Sequence, residues 1–232
     1  RPQETTQHGW NASYRFHQPD LEVLLRQAVQ SHPNITVKTE MELLHLGQKS
    51  DHVSLQCLAG DSGLTSRMTA SYVVGCDGAR SSVRQAMGVS MENLGFRQSW
   101  LVVDVLLYRE MPELGDHSVQ FCDAERPMTY CRSPKNRRRW EITMQAGESA
   151  GEMTDPDRVW QFLSRWITPD DAQIERSVVY TFESALAETW RKDRLLLAGD
   201  AAHLTPPFMG QGMCSGIRDA ANLAWKLALT LK

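Results

Sequence analysis

Two apolar runs in this chain end on an aspartate beside a glycine. Val73-Val74-Gly75-Cys76 delivers Asp77-Gly78, and Leu195-Leu196-Leu197-Ala198-Gly199 delivers Asp200. A carboxylate at the end of a buried strand can accept hydrogen bonds from sugar-like hydroxyls, and an adjacent glycine admits the close approach that a side chain would block. Beyond Asp200 the chain continues through Pro206-Pro207 to Gly210-Gln211-Gly212-Met213. The prolines remove two N–H groups and fix φ, which stiffens the loop without ladder bonds. Gly210 and Gly212 permit positive φ just before a helix. The free N–H groups and dipole of that helix favour an anion or a polarised oxygen by about 0.3–1 kcal/mol. Such a loop suits an electron-rich ring that becomes anionic on reduction. Either aspartate alone reads equally well as a turn or cap residue, but the pair, with Pro-Pro and Gly-Gln-Gly before the helix, fits that reading poorly.

The elements that must position these loops follow from the hydrophobic pattern. Gln18-Pro19-Asp20 opens an amphipathic helix with Leu21, Leu24, Leu25, Ala28 and Val29 on one face. Ile35 to Val37 reads as a strand, and the alternating Val53, Leu55 and Cys57 begin a hairpin that turns at Gly60-Asp61-Ser62-Gly63. Tyr72 to Cys76 and Arg194 to Ala198 are continuously apolar, as strands covered on both faces are. Between them, from about Phe96 to Phe182, apolar residues alternate as in a half-buried, mainly antiparallel sheet. One helix interrupts that sheet, capped by Thr154 or Asp155, with Pro156 in its first turn and Val159, Phe162, Leu163 and Trp166 inward. Arg137-Arg138-Arg139 reads as a solvated hairpin turn. The last helix carries a stripe of Ile217, Ala221, Ala224, Ala228 and Leu231 that should pack on a neighbour. The fold class is therefore α/β with mixed α+β character: an α/β layer, an inserted antiparallel sheet, and a return to the first layer.

Charge and composition narrow the function. Twenty-five basic against 28 acidic residues leave a net charge of −3, so no electrostatic footprint for nucleic acid or an anionic membrane is present. No run approaches the length that spans a bilayer, and the expected location is the cytoplasm. The five cysteines, Cys57, Cys76, Cys122, Cys131 and Cys214, include no C-x-x-C pair and read as reduced, buried thiols. His45 and His52 lack ligand partners in sequence, so no metal site is expected, and His203 reads as structural. The first residues, Arg1-Pro2-Gln3-Glu4, lack an initiator methionine and the last helical pattern still runs at Lys232. An internal piece of a longer protein is expected.

"VVGCDGARSSVR" resembles the Asp-Gly motif of the class A flavoprotein aromatic hydroxylases, which have the para-hydroxybenzoate hydroxylase fold. "RLLLAGDAAHLTPPFMGQGMCSGIRDAANLAWKLAL" resembles their Gly-Asp motif. "FHQPDLEVLL", "SWLVVDV", "CDAERPMTY" and "MQAGE" are similar to the 3-(3-hydroxyphenyl)propionate hydroxylase subgroup. The resemblance implies FAD as cofactor and NADH or NADPH as co-substrate. It also implies a domain plan: residues 1–95 as the first part of the FAD-binding domain, 96–183 as the substrate-binding sheet and 184–232 as the second part of the FAD-binding domain. Asp200 would bond the ribityl chain, Asp77 would organise the pyrophosphate region and the nicotinamide route, and Gln18 would touch the ribityl or phosphate side. Pro206 would lie against the isoalloxazine, with the N–H groups of Gly210, Gln211, Gly212 and Met213 at its pyrimidine edge. Arg84 would brace the Asp77 loop. Cys214 stands where the family commonly has Asn, and the strand and G-x-G-x-x-G turn that grip the ADP half of FAD are not in this sequence.

The implied reaction is hydroxylation of a phenol, such as 3-(3-hydroxyphenyl)propionate, by O₂ through a flavin hydroperoxide. The cofactor carries the hard chemistry while the protein orients and excludes water, and no residue is singled out as catalytic acid or base. A phenylpropionate carboxylate would need a cation, for which Arg97, Arg109, Arg126 and Arg132 are candidates. The full-length protein could form a homo-oligomer. A flavin-dependent reductase or epoxidase of the same fold, or a piece inactive by itself, are the alternatives.

Overall fold

Local signals start most elements of the computed structural model, which describes residues 5–11, 13–207 and 210–232. In chain order they are α1 (Gln18–Ser31), β1 (Met41–Gln48), β2 (Val53–Ala59), β3 (Thr65–Ala70), β4 (Val73–Gly75), α2 (Ser82–Met87), β5 (Met91–Leu107), β6 (Val119–Phe121), β7 (Met128–Arg132) and β8 (Arg137–Thr143). There follow α3 (Ala150–Thr154), α4 (Pro156–Leu163), β9 (Ala172–Ala187), β10 (Arg191–Lys192), β11 (Leu195–Leu197), β12 (His203–Leu204) and α5 (Gly212–Thr230). Pro19 sits in the first turn of α1, where a missing N–H costs nothing. Asp155 caps α4, its carboxylate accepting from the N–H groups of Asp157 and Arg158. A capping box between Ser149 and Glu152 starts α3, a short helix that the hydrophobic pattern does not show.

The chain divides into two compact units, one of residues 1–37 and 99–181, the other of 38–98 and 182–232. In the first, β5, β8, β7 and β6 are successive antiparallel neighbours. Leu101, Val103, Tyr130, Trp140 and Ile142 project from one sheet face onto Val159 and Leu163 of α4. Burying side chains of this size contributes about 1.5–3 kcal/mol each. In the second, β1, β2 and β3 form an antiparallel meander, and β10, β11 and β4 a small sheet in which β11 and β4 are parallel. Val53, Val83, Met87, Leu195 and Leu197 form its core. The result is the expected mixed α/β class with antiparallel sheets.

Four expectations need correction. Ile35–Val37 is not a strand: both apolar residues are exposed and join no ladder, and the strand that precedes the expected β2–β3 hairpin is β1. Arg137, Arg138 and Arg139 lie within β8 rather than in a turn. Arg137 and Arg139 pair with Glu175 and Asp104, and Arg138, only 4% exposed, donates to the carbonyls of Lys135 and Arg137. The predicted stripe of α5 is uncovered, with Ile217 55% and Leu231 58% exposed. Leu223 and Leu227 instead turn toward Leu197, lining a cavity of about 260 Å³ with Asp219. Of the cysteines only Cys57 is buried; Cys76 and Cys122 are exposed, and all five are free.

Candidate functional site

Parallel pairing brings the two aspartate loops to one sheet edge. Leu195, Leu196 and Leu197 stand in register with Val73, Val74 and Gly75, and the Ala198 N–H continues the ladder to the Gly75 carbonyl at 3.0 Å. Both chains therefore leave the strands side by side. Gly75 makes this spacing possible, since a Cβ there would lie 2.7 Å from the Val83 Cβ and 3.1 Å from Leu197 Cδ2.

Beyond the edge, the two carboxylates are used differently. Asp77 Oδ1 accepts from the Ser81 hydroxyl at 2.5 Å and its Oδ2 from the Val83 N–H at 3.1 Å, so the side chain folds back to cap its own loop. Ser81 in turn caps α2 by accepting from the Arg84 N–H at 3.0 Å. Arg84 braces the same loop, as expected, donating from Nη2 to the Ala79 carbonyl at 2.6 Å. Partial desolvation by its neighbours, reinforced by the Asp77 charge, holds the Cys76 thiol above its ordinary value although the residue is exposed. Asp200, in contrast, sits in a single 3₁₀ turn (Gly199–Ala201) with Gly199 at φ +60°, and its exposed carboxylate has no hydrogen bond or ion pair with any described residue.

The turn around Asp200 is gripped from both sides. Asp219 Oδ2 on α5 accepts from the Gly199 N–H at 2.9 Å and from His203 Nε2 at 2.6 Å. Arg84 Nη1 donates to the Ala201 carbonyl at 2.9 Å. His203 is buried and packs against Trp190 with ring centroids 5.4 Å apart, a structural placement that matches its reading from sequence. Asp219 was not among the expected site residues, because its two partners lie 20 and 16 residues away and no local motif joins them.

Past Pro206 and Pro207, both half-buried, Phe208 and Met209 lie outside the described residues. Gly210 has φ +63°, but Gly212 does not take positive φ. It is the first residue of α5, and what it provides is space, because a Cβ there would lie 3.3 Å from Thr205 Oγ1. Gln211 precedes the helix and Met213 follows in its first turn; Gly210, Gln211 and Met213 are exposed. The first intrahelical bond runs from the Ser215 N–H to the Gln211 carbonyl at 2.9 Å, so the earlier N–H groups have no partner within the helix. An exposed carboxylate without described partners and a glycine-flanked helix N-terminus fit a ligand that offers hydroxyl donors at one point and an electron-rich oxygen at another. Gln18 belongs to the first unit, where it opens α1 and donates to Glu22 Oε1 at 2.9 Å.

The candidate substrate cations all have anionic partners within the structure. Arg97 meets Glu183 at 2.8 Å, Arg109 meets Glu113 and Asp171 at 3.3 Å, and Arg132 meets Asp116 at 3.4 Å. Arg126 grips both oxygens of Glu148, at 2.7 and 3.0 Å, and holds that carboxyl down at about 2. On the sheet face opposite the core, Arg139 and Arg176 converge on Asp104 while burial raises the Glu141 carboxyl. Among the described residues no group of three or more His, Cys, Asp or Glu could hold a metal, and no helix is long and apolar enough to cross a membrane.

Comparison with known proteins agrees with this arrangement. Residues 1–232 match the family described as FAD binding domain. The chain is 39% identical over 223 residues to a protein of Rhodococcus jostii (strain RHA1) named "Probable NADH-specific resorcinol 4-hydroxylase", covering 96% of this chain and 42% of that one. It is 36% identical over 229 residues to the 3-(3-hydroxy-phenyl)propionate/3-hydroxycinnamic acid hydroxylase of Escherichia coli O157:H7 (strain EC4115 / EHEC), covering 98% and 41%. Among solved structures it resembles aklavinone-11 hydroxylase in ternary complex with FAD and aklavinone, with TM-score 0.83, 25% identity, and coverage of 93% of this chain and 42% of that one. The p-nitrophenol 4-monooxygenase of Pseudomonas putida DLL-E4 shares the fold, with TM-score 0.80 and 22% identity over 90% of this chain and 53% of that one. The chain spans about two fifths of the length of the curated relatives it matches. The chain belongs to the FAD binding domain family.

Proposed function

We propose that this chain belongs to an FAD- and NAD(P)H-dependent monooxygenase that hydroxylates a phenolic substrate, with 3-(3-hydroxyphenyl)propionate or resorcinol as first candidates. The observation that carries the reading is the contrast at the sheet edge, where Asp77 is bonded into its own loop and Asp200 projects an exposed carboxylate that bonds no described residue, beside a glycine-flanked helix. In this reading residues 1–95 and 184–232 contribute to the FAD-binding domain and 96–183 form the substrate-binding sheet.

When bound, FAD would carry electrons from the nicotinamide to O₂. The chain's own residues supply position. Asp200 accepts from ribityl hydroxyls, and Asp77 acts through the shape of the loop that it caps. Pro206 presents a rigid apolar surface; the Gly210 N–H is taken by the Pro207 carbonyl at 2.9 Å, and the N–H groups of Gly212 and Met213 in the first turn of α5 meet the ring's polar edge, where a helix N-terminus favours developing negative charge. Gln18 contacts the ribityl or phosphate side. Cytoplasmic location and possible homo-oligomerisation belong to the same proposal.

The test is to purify the full-length protein, record the visible absorbance of bound flavin, and follow NADH and NADPH oxidation with and without each phenol. Bound flavin with phenol-stimulated oxidation and a hydroxylated product is the expected result. Absence of flavin would overturn the assignment; flavin without phenol stimulation would favour a reductase or epoxidase.

A further inference from the structure

The turn that carries Asp200 has few bonds of its own. Its backbone contributes the Ala202 N–H to the Gly199 carbonyl at 2.8 Å, and Gly199 reaches φ +60° with no side chain to hold it there. Glycine visits positive and negative φ about equally, so nothing intrinsic to residue 199 selects this conformation. Two side chains from different helices meet the turn at its two ends: Asp219 of α5 takes the N–H of Gly199, and Arg84 of α2 takes the carbonyl of Ala201. Arg84 acts away from solvent, only 8% exposed and bonded to the fully buried Ala201, and the Asp219–Gly199 bond is part-buried. The approach of α5 is close, because a Cβ on Gly216 would lie 3.5 Å from the Gly199 Cα. Asp219 is itself held by His203, whose donation reaches the same Oδ2 that receives Gly199.

We infer that Asp219 and Arg84 are positioning residues that clamp the Gly199–Ala201 turn and thereby aim the Asp200 carboxylate at the flavin. The inference rests on the proposed role of Asp200 as a flavin ligand. Asp219 and Arg84 touch no cofactor in this scheme; their effect on flavin passes through Asp200. Because both donors to Asp219 meet one oxygen, an asparagine that presents its carbonyl oxygen at that point keeps both hydrogen bonds, whereas alanine keeps neither. The clamp also joins the two motif loops, since Arg84 spans from Ala79 beside Asp77 to Ala201 beside Asp200.

The experiment is a double-mutant cycle on the full-length protein, reading FAD dissociation constants of the apoprotein by flavin fluorescence, with thermal midpoints of the apoprotein recorded alongside. Asp200→Ala and Asp219→Ala should each raise the dissociation constant about tenfold, the effect of losing one hydrogen bond's alignment. The double variant should bind no more than about twofold more weakly than Asp200→Ala alone, which is the signature of one residue acting through the other. Asp219→Asn should stay within about threefold of wild type. Should Asp219→Ala fail to fold, Arg84→Lys, which can reach only one of the two carbonyls, is expected to weaken binding in the wild-type background and not in Asp200→Ala. Equal losses in both backgrounds, or no loss from either positioning variant, would overturn the clamp. An unchanged dissociation constant for Asp200→Ala itself would instead overturn its assignment as a flavin ligand.

Discussion

The loops after β4 and β11 leave the same sheet edge from strands in parallel register, each with an aspartate beside glycine, yet they use that aspartate in opposite ways. Asp77 spends both carboxylate oxygens on Ser81 and Val83, and Ser81 caps the six-residue helix that follows. Asp200 spends neither on any described residue; the bonds that shape its turn come from Arg84 and Asp219 instead. What separates them is the residue at the fourth position onward. Ser81 offers a hydroxyl at the right distance to donate to Asp77, whereas the corresponding Leu204 offers Asp200 no side-chain donor. One loop is rigid through its aspartate, the other is held so that its aspartate stays available.

The sharpest way to break this comparison is at Gly75, on which the shared edge depends. Gly75→Ala would force a Cβ into Val83 and Leu197, and we expect a loss of about 1–3 kcal/mol in stability, measured by chemical denaturation. A neutral result would mean that the two strands can separate without consequence, and the adjacency of the loops would lose its structural basis. Next in size is Asp77→Ala. Removing the acceptor of Ser81 and of the Val83 N–H should cost about 1–2 kcal/mol, as loss of a helix cap does. Hydrogen exchange at Val83 and Arg84 should speed up in the same variant, which ties the loss to the start of α2 rather than to the chain at large.

How far the sequence revealed these features follows the range of the forces behind them. Pro19 at the start of α1, Asp155 before Pro156, and the Gly60–Gly63 turn act within a few residues, and each lies where its local chemistry indicates. The pair of strand-ending aspartates was legible for the same reason. β1 was not, because a register shift between Leu43 and His45 interrupts the alternation by which a strand is recognised. The Arg137–Arg139 triplet hides a strand since its charges are answered by Glu175 and Asp104, 38 and 35 residues away. The apolar stripe of α5 is a true periodic feature, but the described residues leave it uncovered while Leu223 and Leu227 turn toward Leu197. Asp219 shows the same limit in the site: one carboxylate among small residues carries no local pattern, and its importance is visible only once α5 is laid against the Asp200 turn.

The smallest expected effect on stability is also the most discriminating. Asp200 is exposed and its side chain bonds no described residue, so Asp200→Ala should leave the stability of the apoprotein within about 0.5 kcal/mol of wild type, as surface changes away from caps and cores do. The same denaturation measurement that registers Asp77→Ala is sensitive enough to see the difference. A loss matching that of Asp77→Ala would mean that the Asp200 carboxylate is bonded within the fold, and the contrast between the loops would disappear. Equal stability together with weakened flavin binding would sharpen it, because a carboxylate that contributes nothing to folding and something to a cofactor is kept at the sheet edge for the cofactor.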